Sequence, residues 1–233
     1  VGDVTHELRT PLTTLRMAAS MIDSARDTFD PTIQRSVELM MIQLDRFERL
    51  LEDLLEISRF DAEVAVVDAV EFDITEKVAK VISDLKLVAK DADVHIEFDR
   101  PGDSVYVNAD IRRIERALRN LITNAIDHAE GKPIHVTLRA NENAASIGVR
   151  DFGIGLDQES ASRVFDRFWR ADPSRSRLRG GTGLGLSLAL EDAHLHHGDI
   201  EVFGKLGAGA NFVLTIPKKV TNQVPQSLIP VKF

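Results

Sequence analysis

The chain has 233 residues, which allows one or two domains. Hydrophobic residues make up 43% and charged residues 28%, a balance that excludes disordered, collagenous and low-complexity classes. The 29 Lys and Arg against 37 Asp and Glu leave a net charge of −8, so no nucleic-acid partner is expected. The absence of Cys excludes disulfides, thiolate metal sites and Cys nucleophiles together. No run reaches the roughly 18 apolar residues a spanning helix needs, and no signal peptide is visible.

The first 60 residues hold one Gly (Gly2) and two Pro (Pro11 and Pro31). Leu8, Leu12, Leu15, Ala19 and Ile22 form one apolar series, and Ile33, Val37, Met40, Leu44, Phe47, Leu51 and Leu54 form another. Both keep a 4-3-4-3 spacing, the seam of a helix. Asp30 before Pro31 reads as an N-cap followed by Pro in the first turn. The expectation is an antiparallel helical hairpin with helices near 3–24 and 31–60. Two helices cannot cover both sides of such seams, so a homodimer closing a four-helix bundle is expected. Periodicity alone favours a plain coiled-coil dimeriser. The first helix starts at once, with no cap and no initiating Met, which suggests a piece of a longer protein.

Residues 63–72 read as a linker, with strand-like alternation at Val64, Val66, Val67 and Val70. Beyond the N-cap Asp73, a helical pattern runs through Val78, Val81, Ile82, Leu85 and Val88. Short β-like runs follow at 94–98 and 104–107. A strong amphipathic helix spans about 110–129, carried by Ile111, Ile114, Leu118, Leu121, Ile122 and Ile126. Strands near 134–139 and 145–150, a helix near 157–167, a Gly-containing loop at 170–183, a helix near 184–196 and strands at 200–203 and 211–216 complete the pattern. The fold class is α+β, with one mixed sheet and helices on one face. The expected domains are 1–62, a linker at 63–72, 73–219, and a patternless tail at 220–233.

Three stretches carry chemistry. In Thr5-His6-Glu7-Leu8-Arg9-Thr10-Pro11 the seam passes through Leu8 and Leu12, so His6 faces outward. Glu7 can accept a hydrogen bond from one ring nitrogen and leave the other as a neutral nucleophile. Thr10 lies one turn away and can orient water or a phosphoryl oxygen. Pro11 lacks an N–H for the Glu7 carbonyl, so a bend is expected there, unless Pro11 marks a first helical turn and residues 1–10 are a lead-in. Next, Asn120 and Asn124 stack four apart on one helix face. Asn is a weak helix former, and neutral amide oxygens suit a Mg²⁺ shared with phosphates; two buried polar residues bonding a nearby loop is the alternative. Third, Asp151-Phe152-Gly153-Ile154-Gly155 follows a strand, and Gly180-Gly181-Thr182-Gly183-Leu184-Gly185 opens a helix. Glycines before a helix let phosphate approach its N-terminal N–H groups. No Lys follows Gly185, so this is not the common phosphate loop, and no βαβ unit surrounds it. Asp151 can accept from an adenine amino group. Arg170, Arg175, Arg177 and Arg179 lie in the intervening loop, which reads as an anion-seeking lid.

The order His-Glu-Leu-Arg-Thr-Pro, Asn-x-x-x-Asn, Asp-x-Gly-x-Gly, Phe-x-x-Phe, Gly-Thr-Gly-Leu-Gly-Leu resembles the cytoplasmic core of two-component sensor histidine kinases over residues 1 to about 219. The resemblance implies a dimerisation and phosphotransfer hairpin followed by an α/β-sandwich ATP-binding domain of the gyrase, Hsp90, histidine kinase and MutL type. It implies ATP and Mg²⁺ as cofactors and autophosphorylation on His6. Phosphotransfer to an aspartate of a response regulator follows, with phosphatase activity toward that regulator. It places the adjacent acid on Glu7, the phosphatase Thr on Thr10, the Mg²⁺-side amides on Asn120 and Asn124, and the adenine acceptor on Asp151. The nucleotide set extends to His128, Gly153, Gly155, Phe168, Arg170, Arg179, Gly181, Thr182, Gly183, Leu184 and Gly185. Any membrane contact would come through segments outside this chain, the cytoplasmic portion of a cell-membrane receptor. The stretches NLITNAIDHAEGKP and FDRFWRADPSRSR most resemble an actinobacterial branch of the family, which implies a regulator of that branch.

One departure stands out. Where the family commonly has Lys or Arg and then an aromatic, this chain has Asp127 and His128. Either His128 and the lid arginines substitute, or ATP binds more weakly. A gyrase-type ATPase is disfavoured because its general base falls on Asn120, which cannot take a proton. A non-catalytic dimeriser that binds nucleotide is the third possibility, and Asp127 is its best support.

Overall fold

A computed structural model of the chain describes residues 2–62, 66–171, 182–219 and 223–233, with backbone alone for 2–9. The chain divides into two compact units, Val1–Ala65 and Val66–Phe233.

In the first unit, α1 (Gly2–Ser24) and α2 (Pro31–Asp61) flank a 3₁₀ turn, Arg26–Thr28. The Asp30 carboxylate accepts from the N–H groups of Thr32 and Ile33, with Pro31 in the first turn, so the hairpin's second arm starts where the sequence places it. Helix α1 begins well before Pro11 and contains it, which removes the lead-in alternative for residues 1–10. The seams are split lengthwise. Leu12, Ala19, Val37 and Ile57 are buried, whereas Leu15 (58% exposed), Phe47 (55%), Ile22, Ile33 and Leu54 lie open. Arg16 bridges to Asp45 and Glu48 across the hairpin.

The second unit is built on a five-stranded sheet. Its order is β2 (Ile96–Asp99), β4 (Ile134–Ala140), β5 (Ala144–Asp151), β7 (Gly209–Pro217), β6 (Asp199–Lys205). Strand β2 runs parallel to β4, and the other pairs are antiparallel, two of them tight hairpins. A separate ribbon pairs β1 (Val70–Asp73) with β3 (Tyr106–Ala109). Helices α3 (Ile74–Asp84), α4 (Lys86–Asp91), α5 (Ile111–His128), α6 (Gln158–Arg163) and α7 (Gly185–Leu195) complete the described elements. The α+β class therefore holds. Ile114, Leu118, Leu121, Ile122 and Ile126 of α5 pack in one core with Ile147 and Val149 of β5 and Phe212 and Leu214 of β7. Asp110 caps α5 by accepting from the N–H groups of Arg112 and Arg113.

Several local expectations shift. Residues 66–69 form no strand, and pairing starts only at Val70. The helix expected near 157–167 is six residues long, because Phe165 and Trp169 turn onto the core. The largest difference is at the C-terminus. Residues 223–233 have no regular structure, yet they are not a loose tail. The Leu228 N–H donates to Ser146 Oγ at 3.0 Å, and Asn211 Nδ2 donates to the carbonyls of Pro230 and Val231 at 3.2 and 3.0 Å. This strap covers the sheet face opposite the helices. That is why β7 is buried along its whole length instead of on alternate residues.

Candidate functional site

Asn120 and Asn124 lie four apart on α5 and are half-buried. Asn120 Nδ2 donates to the Gly185 carbonyl at 2.8 Å, tying α5 to the first residue of α7. This is the loop-bonding behaviour weighed above, and it leaves Asn120 Oδ1 available as an acceptor. The Asn124 side chain makes no hydrogen bond among the described residues. Two amide oxygens beside a helix N-terminus fit a hydrated Mg²⁺ carried in on phosphates, since neutral ligands leave its charge to the phosphates. No cluster of three His, Asp or Glu able to hold a metal exists among the described residues.

Asp151 ends β5 almost completely buried. Its Oδ1 accepts from Gly153 N–H at 2.9 Å and its Oδ2 from Ala210 N–H at 3.2 Å. The loop that follows threads between α5 and the β6–β7 turn. Ile154 N–H donates to the His128 carbonyl, and Gly207 N–H donates to the Ile154 carbonyl. A Cβ on Gly153 would lie 1.8 Å from the His128 carbonyl oxygen, so no other residue fits there. Asp127 is half-buried and His128 exposed at the end of α5.

The segment that reads as a lid is described only at its two ends. The Phe168 N–H donates to the Gly183 carbonyl at 2.8 Å, closing the chain on either side of 172–181. Gly183 has φ +74° at this crossing. Phe168 is exposed, and Arg170 Nη2 is buried with no hydrogen-bond partner among the described residues. Thr182 Oγ1 accepts from Leu184 N–H at 3.2 Å. The Leu184 side chain is fully buried, so only its backbone can face a ligand. Arg175, Arg177, Arg179, Gly180 and Gly181 lie outside the described residues, as do the side chains of His6, Glu7 and Arg9. Thr10 is exposed on α1. The structure thus brings together Asn120 with Gly185, His128 with Gly153, and Phe168 with Gly183, and it places Asp151 at the end of β5.

Burial pushes the Asp151 carboxyl above the usual carboxylate range, against the pull of the Gly153 and Ala210 N–H groups, Arg150 and His128. The resemblance makes Asp151 the acceptor of an adenine amino group, and the ionised carboxylate is the stronger acceptor. Binding of ATP should therefore weaken as pH falls through a midpoint above the ordinary value of about 4. The sign for the fold is opposite: a raised native pKa means protonation favours the folded state. Titrating affinity and melting temperature together checks this. Parallel loss of both would show general acid unfolding instead.

Residues 1–63 match the His Kinase A (phospho-acceptor) domain model, and residues 109–220 match the Histidine kinase-, DNA gyrase B-, and HSP90-like ATPase model. The chain belongs to the sensor histidine kinases. It is 50% identical over 231 residues to the sensor histidine kinase MtrB of Mycolicibacterium paratuberculosis, covering 99% of this chain and 41% of that protein. The figure for MtrB of Mycobacterium tuberculosis is 49% over the same shares. MtrB is thus the actinobacterial branch that the two quoted stretches resemble. The chain spans about two fifths of the length of these relatives. Among solved structures, full-length ShkA in complex with AMPPNP aligns with a TM-score of 0.79 at 24% identity, over 95% of this chain and 46% of that one. Acinetobacter baumannii AdeS aligns at 0.65 and 25% identity, over 91% of this chain and 98% of that one. A ThkA complex with the response regulator TrrA aligns at 0.65 and 24% identity, over 94% of this chain and 60% of that one. Below 25% identity the likeness is one of fold.

Sequence reasoning missed two arrangements: an Arg150 clamp behind Asp151, and a buried Asp192 bridged by Arg113 and Arg116. Neither has a local signal, since the partners lie 58 to 79 residues apart.

Proposed function

We propose that the chain is a protein-histidine kinase that moves the γ-phosphoryl group of ATP to His6. The P–O bond to the ADP leaving group breaks, and a P–N bond forms at the imidazole. The observation that carries this is the pairing, in one chain, of a His-bearing helical hairpin with a nucleotide domain that has Asn120 where a water-activating Glu would be needed. Glu7 polarises the imidazole so that the attacking nitrogen is neutral. Asp151 accepts from the adenine amino group, and the Gly153–Gly155 turn and the start of α7 give phosphates close backbone approach. When bound at Asn120 and Asn124, Mg²⁺ neutralises phosphate charge. His128 and Arg170 are described residues that can contact phosphate where Asp127 cannot. Residues 1–62 form the phosphoacceptor domain, 63–72 the linker and 73–219 the catalytic domain. The phosphoryl group then passes to an aspartate of a response regulator of MtrA type, and Thr10 orients water when the regulator is dephosphorylated. The chain works as the cytoplasmic portion of a cell-membrane receptor, its membrane segments lying outside these residues. Acid-labile, base-stable label on the protein from γ-labelled ATP tests the reading; no such label on the protein, whether or not phosphate is released, would refute it.

Two further results are expected. The open halves of both seams make a stripe larger than monomers tolerate, and a homodimer that closes a four-helix bundle covers it. Light scattering at micromolar concentration should give twice the chain mass, and a monomer would refute this. Asn124→Asp should weaken Mg²⁺–ATP binding, because the added charge repels phosphates that the neutral amide tolerates. Unchanged turnover would make Asn124 a structural polar residue.

A further inference from the structure

The carboxylate of Asp151 is held from behind. Arg150 sits on the sheet face opposite the helices. Its Nη1 donates to the carbonyls of Asp151 and, at 3.1 Å, Ala210; its Nη2 donates to the Ala208 carbonyl at 2.6 Å. The Ala210 N–H is the same group that donates to Asp151 Oδ2. One guanidinium therefore fixes both the residue that carries the carboxylate and the strand that orients it. The guanidinium is itself stacked between two rings: its Cζ lies 4.5 Å from the Phe152 centroid and 3.3 Å from that of Phe233. Phe233 also meets Phe203 edge-on at 5.1 Å. The strap reaches this point by a fixed path. Leu228 is bonded to Ser146, whose hydroxyl is bonded to Thr215 at 2.9 Å. Ile229 seats on Gly148, where a Cβ would already touch it at 3.4 Å. Asn211 then holds the carbonyls of Pro230 and Val231.

We propose that residues 223–233 are a positioning element of the nucleotide site. Phe233 and Arg150 are positioning residues that keep Asp151 aimed at the adenine amino group. The proposal rests on the reading of Asp151 as the adenine acceptor. A cation stacked between two rings is confined by the π-faces on either side. Removing one ring lets the guanidinium swing toward water and releases the carbonyls of Asp151, Ala208 and Ala210. Asp151 then loses aim without losing charge.

The test uses the full chain with Phe233→Ala, Phe233→Trp and Asp151→Asn, and measures binding of ATP and GTP well below each melting transition. Wild type should prefer ATP. Phe233→Ala should lower ATP affinity by about five- to tenfold, roughly one buried hydrogen bond, with GTP affinity unchanged. Phe233→Trp should restore the preference, and Asp151→Asn should abolish it. Equal losses for ATP and GTP in Phe233→Ala, or no loss for either, would overturn the proposal and leave the strap as mere cover for the sheet. Failure of wild type to bind ATP would instead fell the underlying assignment of the site.

Discussion

His6→Gln should abolish labelling of the chain by γ-labelled ATP and leave ATP affinity unchanged. Gln keeps a polar, uncharged side chain at a position that the apolar spacing leaves off the seam, so the helix and its seam should stay intact. It lacks a nucleophilic nitrogen, because the amide lone pair is delocalised into the carbonyl. The expected loss is therefore of the whole covalent channel. A general-base defect is different in kind: Glu7→Ala should slow labelling by about 10²–10⁴-fold without ending it. Affinity should hold because His6 is in the first unit and every nucleotide motif is in the second. Side-by-side labelling and equilibrium nucleotide binding decide the matter. Persistent acid-labile label in His6→Gln would move the acceptor to another His. An equal fall in ATP affinity would contradict the two-unit division of labour.

What the sequence made legible was what local periodicity encodes. The 4-3-4-3 seams located α1 and α2, and the apolar stripe of α5 located the helix that carries both Asn. Glycine spacing located the turn after Asp151, where close backbone approach at Gly153 and Gly155 excludes other residues, and the start of α7, where Gly183 holds a positive φ. Illegible were contacts whose partners share no spacing. Residues 223–233 read as a tail because Leu228, Ile229 and Phe233 follow no period, and their partners Ser146, Gly148 and Arg150 lie about 80 residues upstream. Helix α4 was not separated from α3 because Leu85 ends one and precedes the other without a side-chain cap. Asn120 was legible as a functional-face residue, but not its bond to Gly185, which needs α7 in place.

Asp192 gives the largest expected effect on stability. It lies on α7 with no exposed surface and was read only as part of a helix. Arg116 holds it through Nε at 2.7 Å and Nη2 at 2.6 Å, a two-pronged pair, and Arg113 adds Nη1 at 3.1 Å. Its backbone carbonyl meets His196 Nδ1, and His196 Nε2 accepts from the Asp110 N–H at the cap of α5. One residue thus closes the far end of the α5–α7 pair whose near end is the Asn120–Gly185 bond. Burial pushes the Asp192 carboxyl up, and the two guanidiniums hold against that push. Truncation by Asp192→Ala opens a void beside Arg113, whose side chain is 12% exposed and which keeps the longer ion pair with Asp110 at 3.6 Å. Removing one partner of a buried pair costs about 3–5 kcal/mol, and Arg116, more exposed, relieves part of this by reaching water. About 3 kcal/mol is the expected loss, roughly 6–12 °C for a unit of this size. Asp84→Ala removes the partner of Lys80 and Arg119 at the surface, where solvent screens the pair, and should shift the transition far less. Thermal unfolding of the full chain, following the transition of the second unit, compares the two. Equal small shifts would mean that water reaches Asp192 and that the helix pair is held by its apolar contacts alone.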